Sequence, residues 1–376
     1  MKRRLRVLHI GNGKAFKIRA IAAGLHERGH DIHMVPIPPS PPMFDEGTWH
    51  RLDSAFPGPL GTLHRALQVR SLGRRLKADV IHAHNAWGPG WIGAATGMHP
   101  FVIHAYGGDL LPEQYAGRPN FQRWLTAWAC RSADRIVVTG KHMISAAERL
   151  GIAAERVVAL PRGVDLVRYR PGLNTAGLRS SLGLQQTDRV VLSPRYQVDE
   201  DLYNLDIVVR AFADVRRRVR EVICLQMYDP ARPGGRDRLA AIAAANGLDR
   251  SYQLIPMVDN QTMPLYYNLA EVVVSVPSSD GFPVTVLEAS ACERPLVVTE
   301  LPYSEEWFTQ RQNGLIVPAR DTSALVDAIV ELLSDCELSR RIGVEGRKLV
   351  EERANYERCM DALESIYFQL LEARNN

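Results

Sequence analysis

From Leu5 to about Leu333, short runs of β-branched residues alternate with amphipathic stretches, and this alternation restricts the fold more than any other feature. Residues 5–10, 80–84, 101–104, 135–138 and 156–159 are largely apolar and flanked by turn residues, as buried parallel strands are. Stretches such as 18–28 and 64–76 lie between them with helical spacing. This is the βαβ rhythm of a doubly wound sheet. It breaks over 161–189, where 161–172 alone carries two prolines and two glycines. A second series then begins, with strand-like runs at 189–193, 222–226, 272–276, 296–299 and 315–317, and from about Ser334 the chain is helical and charged. Two α/β domains joined by a connector follow, and 376 residues suffice for two full cores.

Charge is divided unevenly between the halves. Residues 1–172 hold 24 Lys or Arg against 12 Asp or Glu, a net of +12, and the remainder holds 22 against 30, a net of −8. A basic front half suits phosphate-bearing partners or an anionic membrane surface. Nucleic acid is not expected, because no helix-turn-helix and no aromatics interleaved with the basic residues are found. No apolar run approaches a membrane span and no signal peptide precedes Leu5, so a cytoplasmic protein is expected, with peripheral contact at the inner membrane face left open. The five cysteines (130, 224, 292, 336, 359) are scattered, odd in number and without a CxxC pair. That pattern favours reduced thiols over disulfides or a zinc site.

The stretch from Val272 to Ala291 carries the most chemistry. A strand runs into a turn of small residues, 277–281, and helix-compatible residues follow from Val284 to Ala291. Asp280 sits in the turn, and Glu288 lies about two helical turns later. Gly281 permits close backbone approach, and the helix start from Gly281 through Phe282, Pro283 and Val284 to Thr285, with free N–H groups on all of these but the proline, favours an anion. A carboxylate such as Glu288 can accept hydrogen bonds from both hydroxyls of a ribose. Phosphate at the helix start with sugar hydroxyls on the acids describes a nucleotide-sugar site. Taken alone, the segment fits equally a helix-capping Asp280 and a solvated Glu288.

The segment resembles the donor-binding segment of glycosyltransferase family 4, the retaining enzymes of GT-B fold also grouped as glycosyl transferases group 1. Asp280, Gly281, Phe282, Leu287, Glu288 and Ala289 stand in the places of that family's Glu-Gly-Phe and Leu-Glu-Ala; 291–298 and 313–318 are similar to its next two strands. The resemblance implies two Rossmann-like domains facing a cleft. Their expected limits are 1–168 on the acceptor side and 169–352 for the nucleotide sugar, with a helix, 353–376, crossing back. It implies a retaining, metal-independent transfer from a nucleotide-diphosphate sugar, UDP-linked, to a small-molecule or lipid-linked hydroxyl acceptor, with no cofactor.

Further residues acquire roles through the same resemblance. Arg195 matches an arginine that clamps the donor diphosphate, a task suited to a guanidinium fork. The lysine expected eight residues on is replaced by Tyr203, and the glycine after it by Asn204; a phenol brings no positive charge at neutral pH. Lys14 and Lys17 are candidates to compensate, and as ordinary exposed lysines they need no role at all. Gly11 and Gly13 follow the first strand as in a dinucleotide turn, but Phe16 stands where a third glycine belongs and no acid ends the second strand, which weakens an NAD reading. Gly13 and Lys14 are instead expected near the donor phosphates. His104 and Asp109, in 104–111, are similar to a stretch whose histidine contacts the transferred sugar. His104, Arg195 and Asp280 are thus the catalytic candidates. His82 and His84 share one strand face, but the spacing shows no third metal ligand. Two rivals are a nucleotide-sugar epimerase of the same fold and a sugar-nucleotide-binding paralogue impaired in catalysis, the latter favoured by the missing lysine.

Overall fold

A computed structural model describes residues 3–13, 15–38, 45, 47–52, 58–111, 120–196, 201–232, 234–248 and 250–375. The chain forms two compact units, one of Met1–Pro161 with Glu357–Asn376, the other of Arg162–Tyr356.

Among the described residues the first unit holds seven parallel strands: β1 (Arg6–Gly11), β2 (Asp31–Pro36), β3 (Thr48–Trp49), β4 (Val80–His84), β5 (Phe101–Ala105), β6 (Arg135–Val138) and β7 (Val157–Ala159). Their order is β3-β2-β1-β4-β5-β6-β7. Leu8, Ile10, Ile81, Ala83, Phe101, Ile103, Ile136 and Val138 point to one face and join a core of buried helix residues. The opposite face is less usual. Parallel register pairs His9 with His82 and His84 with His104, so four imidazoles share it, all at most 3% exposed.

The final helix, Tyr356–Asn375, is anchored in this unit by buried polar groups as well as by Met360, Leu363 and Ile366. The backbone N–H of Leu5 donates to His30 Nδ1, which leaves Nε2–H to donate to Glu364 at 2.8 Å. Tyr367, fully buried, shares a 2.6 Å hydrogen bond with His82. Arg28 pairs with Glu357 at the helix start.

The second unit has six parallel strands, β8 (Arg189–Ser193), β9 (Val222–Tyr228), β10 (Tyr252–Pro256), β11 (Val272–Ser275), β12 (Leu296–Thr299) and β13 (Leu315–Val317), ordered β10-β9-β8-β11-β12-β13. Its central strands β8, β11 and β12 are buried on both faces, as helices covering a parallel sheet require. Val272 and Val274 enter one core and Val273 the other, and Val191 and Val190 divide in the same way. Asp321 and Asp335 cap the helices Thr322–Ser334 and Cys336–Arg353 through the backbone N–H groups of Ala324 and Leu338, each at 2.9 Å. Such caps contribute about 1 kcal/mol apiece.

Strands β2, β3 and β10 lie outside the runs the sequence singled out. β2 is broken by charge and imidazole (AspIleHisMetValPro), β3 is two residues long, and β10 ends in Pro256, so none presents a clear apolar run. Of the Pro-rich stretch 36–59, the described part includes β3, which pairs with β2.

Candidate active site

In each sheet the strand order reverses once, between β1 and β4 in the first unit and between β8 and β11 in the second. Chains leave such neighbouring strands in opposite directions, which opens a place for ligands beyond their carboxyl ends. The candidates Arg195, Asp280 and Gly13 lie in loops that follow the strands at these two places.

In the second unit, Arg195 lies two residues beyond β8 and Asp280 five beyond β11. The strands are adjacent, so the loops meet, and Arg195 Nη2 donates to Asp280 Oδ2 at 2.6 Å with side chains only 11% and 14% exposed. Asp280 is therefore not the helix cap that an isolated segment suggests. The cap position belongs to Pro283, which offers no side-chain bond. Burial alone would lower the guanidinium's proton affinity, but Asp280, Tyr203 and Tyr303 together hold it above its ordinary value. Arg195 Nε is buried with no partner among the described residues.

Tyr203 stands beneath this pair. Its ring centroid is 4.1 Å from the Arg195 guanidinium carbon, a cation–π stack where the sequence resemblance led to expect a second cation. Asn204 explains the other departure. Its φ is +51°, a left-handed value that Asn tolerates better than most residues. Its side chain donates to Val276 O at 2.8 Å and Ser278 Oγ at 2.9 Å, while Arg320 donates to its Oδ1 at 3.0 Å. The turn leading to Asp280 is thereby tied to the chain that carries Tyr203.

The helix Val284–Ala291 starts where the sequence placed it. Val284 and Thr285 are half-buried at its first turn, and Thr285 Oγ1 is buried without a partner among the described residues. Phe282 packs its ring against Tyr303 and Trp307, with centroids 5.3 and 4.6 Å away, so its side chain anchors the turn in the core and only its backbone is left for a ligand. Gly281 is buried but is not among the glycines of positive φ, so its backbone conformation does not demand glycine.

Glu288 is 7% exposed, not on a solvated face. Tyr267 donates to its Oε2 at 2.9 Å, and Tyr169 lies against Tyr267. Burial pushes the carboxyl above its ordinary value; Arg162, Tyr267, Tyr169 and Arg168 pull in the opposite direction. Arg162, Tyr169 and Tyr267 were not singled out by the sequence. The first two lie in the connector, 161–172, and only folding brings them to Glu288.

In the first unit, His104 is the penultimate residue of β5, with its ring stacked on Tyr106 at 4.6 Å. Asp109 accepts from the backbone N–H groups of Ala86 (2.8 Å), Tyr106 (3.0 Å) and Gly107 (3.1 Å), and so braces the loops after β4 and β5. That is a structural task. Gly13 is buried in the turn after β1. Gly11 matters sterically: a Cβ there would come within 2.6 Å of Ile18 Cδ1 and 3.0 Å of His84 Cβ. Lys14 lies outside the described residues.

The expectation that His82 and His84 lack a third partner is overturned. His9, in the adjacent strand, places Nδ1 2.8 Å from His84 Nε2, and one nitrogen from each of the three rings lies within 4.8 Å of the others. Spacing along the sequence could not reveal this, because the third ring comes from a neighbouring strand 73 residues away from His82. Burial, then His33, lowers His9 to about 3; burial, then His9 and His104, lowers His82. Both rings are neutral at physiological pH.

Comparison with known proteins adds to this geometry. The family described as Glycosyltransferase Family 4 matches residues 12–168, and Glycosyl transferases group 1 matches 177–349. The D-inositol 3-phosphate glycosyltransferase of Saccharomonospora viridis is 30% identical over 248 residues, covering 64% of this chain and 57% of that protein. That of Nocardia farcinica is 28% identical over 280 residues, covering 71% and 61%. The match thus spans about three-fifths of each of these two relatives. Among solved structures, sucrose-phosphate synthase from Thermosynechococcus elongatus superposes with a TM-score of 0.85 at 20% identity, covering 98% of this chain and all of that one. Anabaena Alr3699/HepE in complex with UDP and glucose gives 0.83 at 16%, with 98% and 100% covered. This likeness carries the fold, GT-B.

Proposed function

Since the chain belongs to the family 4 glycosyltransferases, we propose that its second unit binds a nucleoside-diphosphate sugar and that the protein transfers the glycosyl group to an acceptor hydroxyl. The observation that carries this reading is the Arg195–Asp280 pair at the β8/β11 reversal, beside a helix start whose Thr285 hydroxyl has no partner among the described residues. A guanidinium with an unengaged buried Nε and a helix amino end together suit a diphosphate. Asp280, held by Arg195, keeps one oxygen for sugar hydroxyls. Glu288 takes the ribose through the oxygen not engaged by Tyr267. UDP is the expected nucleotide, supported by the UDP seen in the Anabaena neighbour.

In the transfer, the bond from the anomeric carbon to the diphosphate oxygen breaks and its electron pair stays with the diphosphate. Arg195 stabilises that growing charge. The acceptor oxygen bonds to the anomeric carbon on the face the diphosphate leaves, which gives retention. Its proton passes to a leaving phosphate oxygen. No side chain serves as general base and no metal is required. The relatives act by name on D-inositol 3-phosphate, and with a net +12 over residues 1–172 a phosphorylated polyol is the expected acceptor class.

The absent second cation favours one other reading, a protein that binds the sugar nucleotide without turning it over. Calorimetric titration with UDP and UDP-sugars, alongside an assay of UDP release with an inositol phosphate, separates the two. Binding with release supports transfer. Binding with no release under any acceptor supports the second reading, and no binding of any nucleotide sugar or nucleoside diphosphate removes both.

A further inference from the structure

We propose that His9, His82 and His84 form a binding site for a borderline divalent transition-metal ion of the Zn²⁺ type within the first unit.

The geometry is that of a ligand set. His9 and His82 are register partners on adjacent parallel strands, and His84 follows two residues later on the same face. Ring centroids are 4.2 Å apart for His82 and His84, 5.1 Å for His9 and His84, and 5.2 Å for His9 and His82. Each ring can offer one nitrogen within 4.8 Å of the others. Ligands 2.0–2.1 Å from a tetrahedral ion stand roughly 3.3 Å apart, so small side-chain rotations would close the set.

The far side of two rings is already committed. His82 Nδ1 shares a hydrogen bond with the Tyr367 hydroxyl at 2.6 Å, and His84 Nδ1 with that of Tyr106 at 2.9 Å. Metal-binding histidines are held in this way, the outer nitrogen fixed by a hydrogen bond so that the inner one keeps its lone pair. Nε2 is the nitrogen left over on both rings. That of His84 meets His9 Nδ1, and that of His82 is buried without a partner among the described residues. His9 Nε2 is likewise buried and unpartnered among them.

A buried polar atom without a partner is destabilising, and His9 and His82 each carry one where valine would pack at no such cost. A metal ion engages what the protein leaves unpaired. An all-imidazole set suits zinc, copper or nickel rather than magnesium or calcium, which require oxygen ligands.

The test uses the full-length chain stripped with chelator and titrated with Zn²⁺ alone, then with Co²⁺ read by visible absorption. One equivalent of Zn²⁺ per chain is expected, with Co²⁺ giving the intense bands of a low-coordinate nitrogen site. His9→Gln and His82→Gln should each weaken uptake by at least about 100-fold. Tyr367→Phe keeps all three ligands and removes an orienting hydroxyl; a loss of about 10–100-fold is expected. Zn²⁺ should also raise the unfolding midpoint of the native chain, because it binds only the folded state. Sub-stoichiometric uptake, or uptake unchanged in the histidine variants, overturns the proposal. Should those variants fail to fold, an unshifted wild-type midpoint or undiminished affinity in Tyr367→Phe overturns it equally.

Discussion

Arg195 and Asp280 are 85 residues apart in sequence and joined by a 2.6 Å charge-assisted hydrogen bond. The pair exists because β8 and β11 are neighbours and both chains turn out of the sheet at the same end. Arg195 thus acquires a fixed direction without a ligand, and Asp280 a fixed position from which to accept from hydroxyls. Replacing Arg195 with Ala should lower kcat/KM for the donor by about 10²–10³-fold, the cost of losing a donor that meets charge developing in the transition state. Steady-state kinetics with a UDP-sugar measures it. A loss below tenfold would mean that Arg195 does not meet the diphosphate.

Tyr203 supports that guanidinium with its ring face. Tyr203→Phe should leave UDP affinity within about threefold of wild type, because the face is kept. Tyr203→Ala should weaken it by roughly 2–30-fold, the range of a partly buried cation–π contact of about 0.5–2 kcal/mol. Calorimetry on both variants decides; equal affinities for Phe and Ala would show the ring to be idle.

Asn204 combines a left-handed backbone with side-chain hydrogen bonds to Val276, Ser278 and Arg320. Asn204→Ala keeps neither advantage and should destabilise the chain by about 2–4 kcal/mol, from the strained φ and the lost bonds together. Asn204→Gly relieves the φ but not the bonds, so it should fall between wild type and Ala. Urea denaturation gives the order, and an Ala variant as stable as Gly would contradict it.

Glu288 links burial to pH. Its folded-state carboxyl is raised, chiefly by burial, so the folded chain holds this proton more tightly than the unfolded chain. Its contribution is fully present below the ordinary value of 4.5 and is lost as pH rises through the folded value. Glu288→Gln removes that titration. The variant should therefore gain stability relative to wild type as pH climbs above 4.5, with the difference levelling once the carboxylate is ionised. Parallel urea midpoints from pH 4 to 8 test the sign. A difference that shrinks with rising pH would reverse it.

Much of the site could be read in linear order. The strand, small-residue turn and helix of 272–291 are local, and so are Arg195 at a strand end and Tyr203 in a lysine's place. What could not be read were the partners. Tyr267 and Tyr169 reach Glu288 from other segments, and Asn204 owes its meaning to a φ value that no composition reveals. Asp109 is a ligand-contact candidate in sequence, and only the fold shows the three backbone amides from which it accepts.

The sequence by itself determined the two doubly wound sheets, because hydrophobic periodicity and turn residues act over a few positions and need no distant contact. It also marked which loops carry charge and glycine. Tertiary structure alone decided which of those residues meet. Strand order put β8 beside β11 and β1 beside β4, and that order made an ion pair from Arg195 and Asp280 and a triad from His9, His82 and His84. Adjacency in a parallel sheet is set by how the crossovers wind. It is a property of the whole packed chain and is written in no single segment.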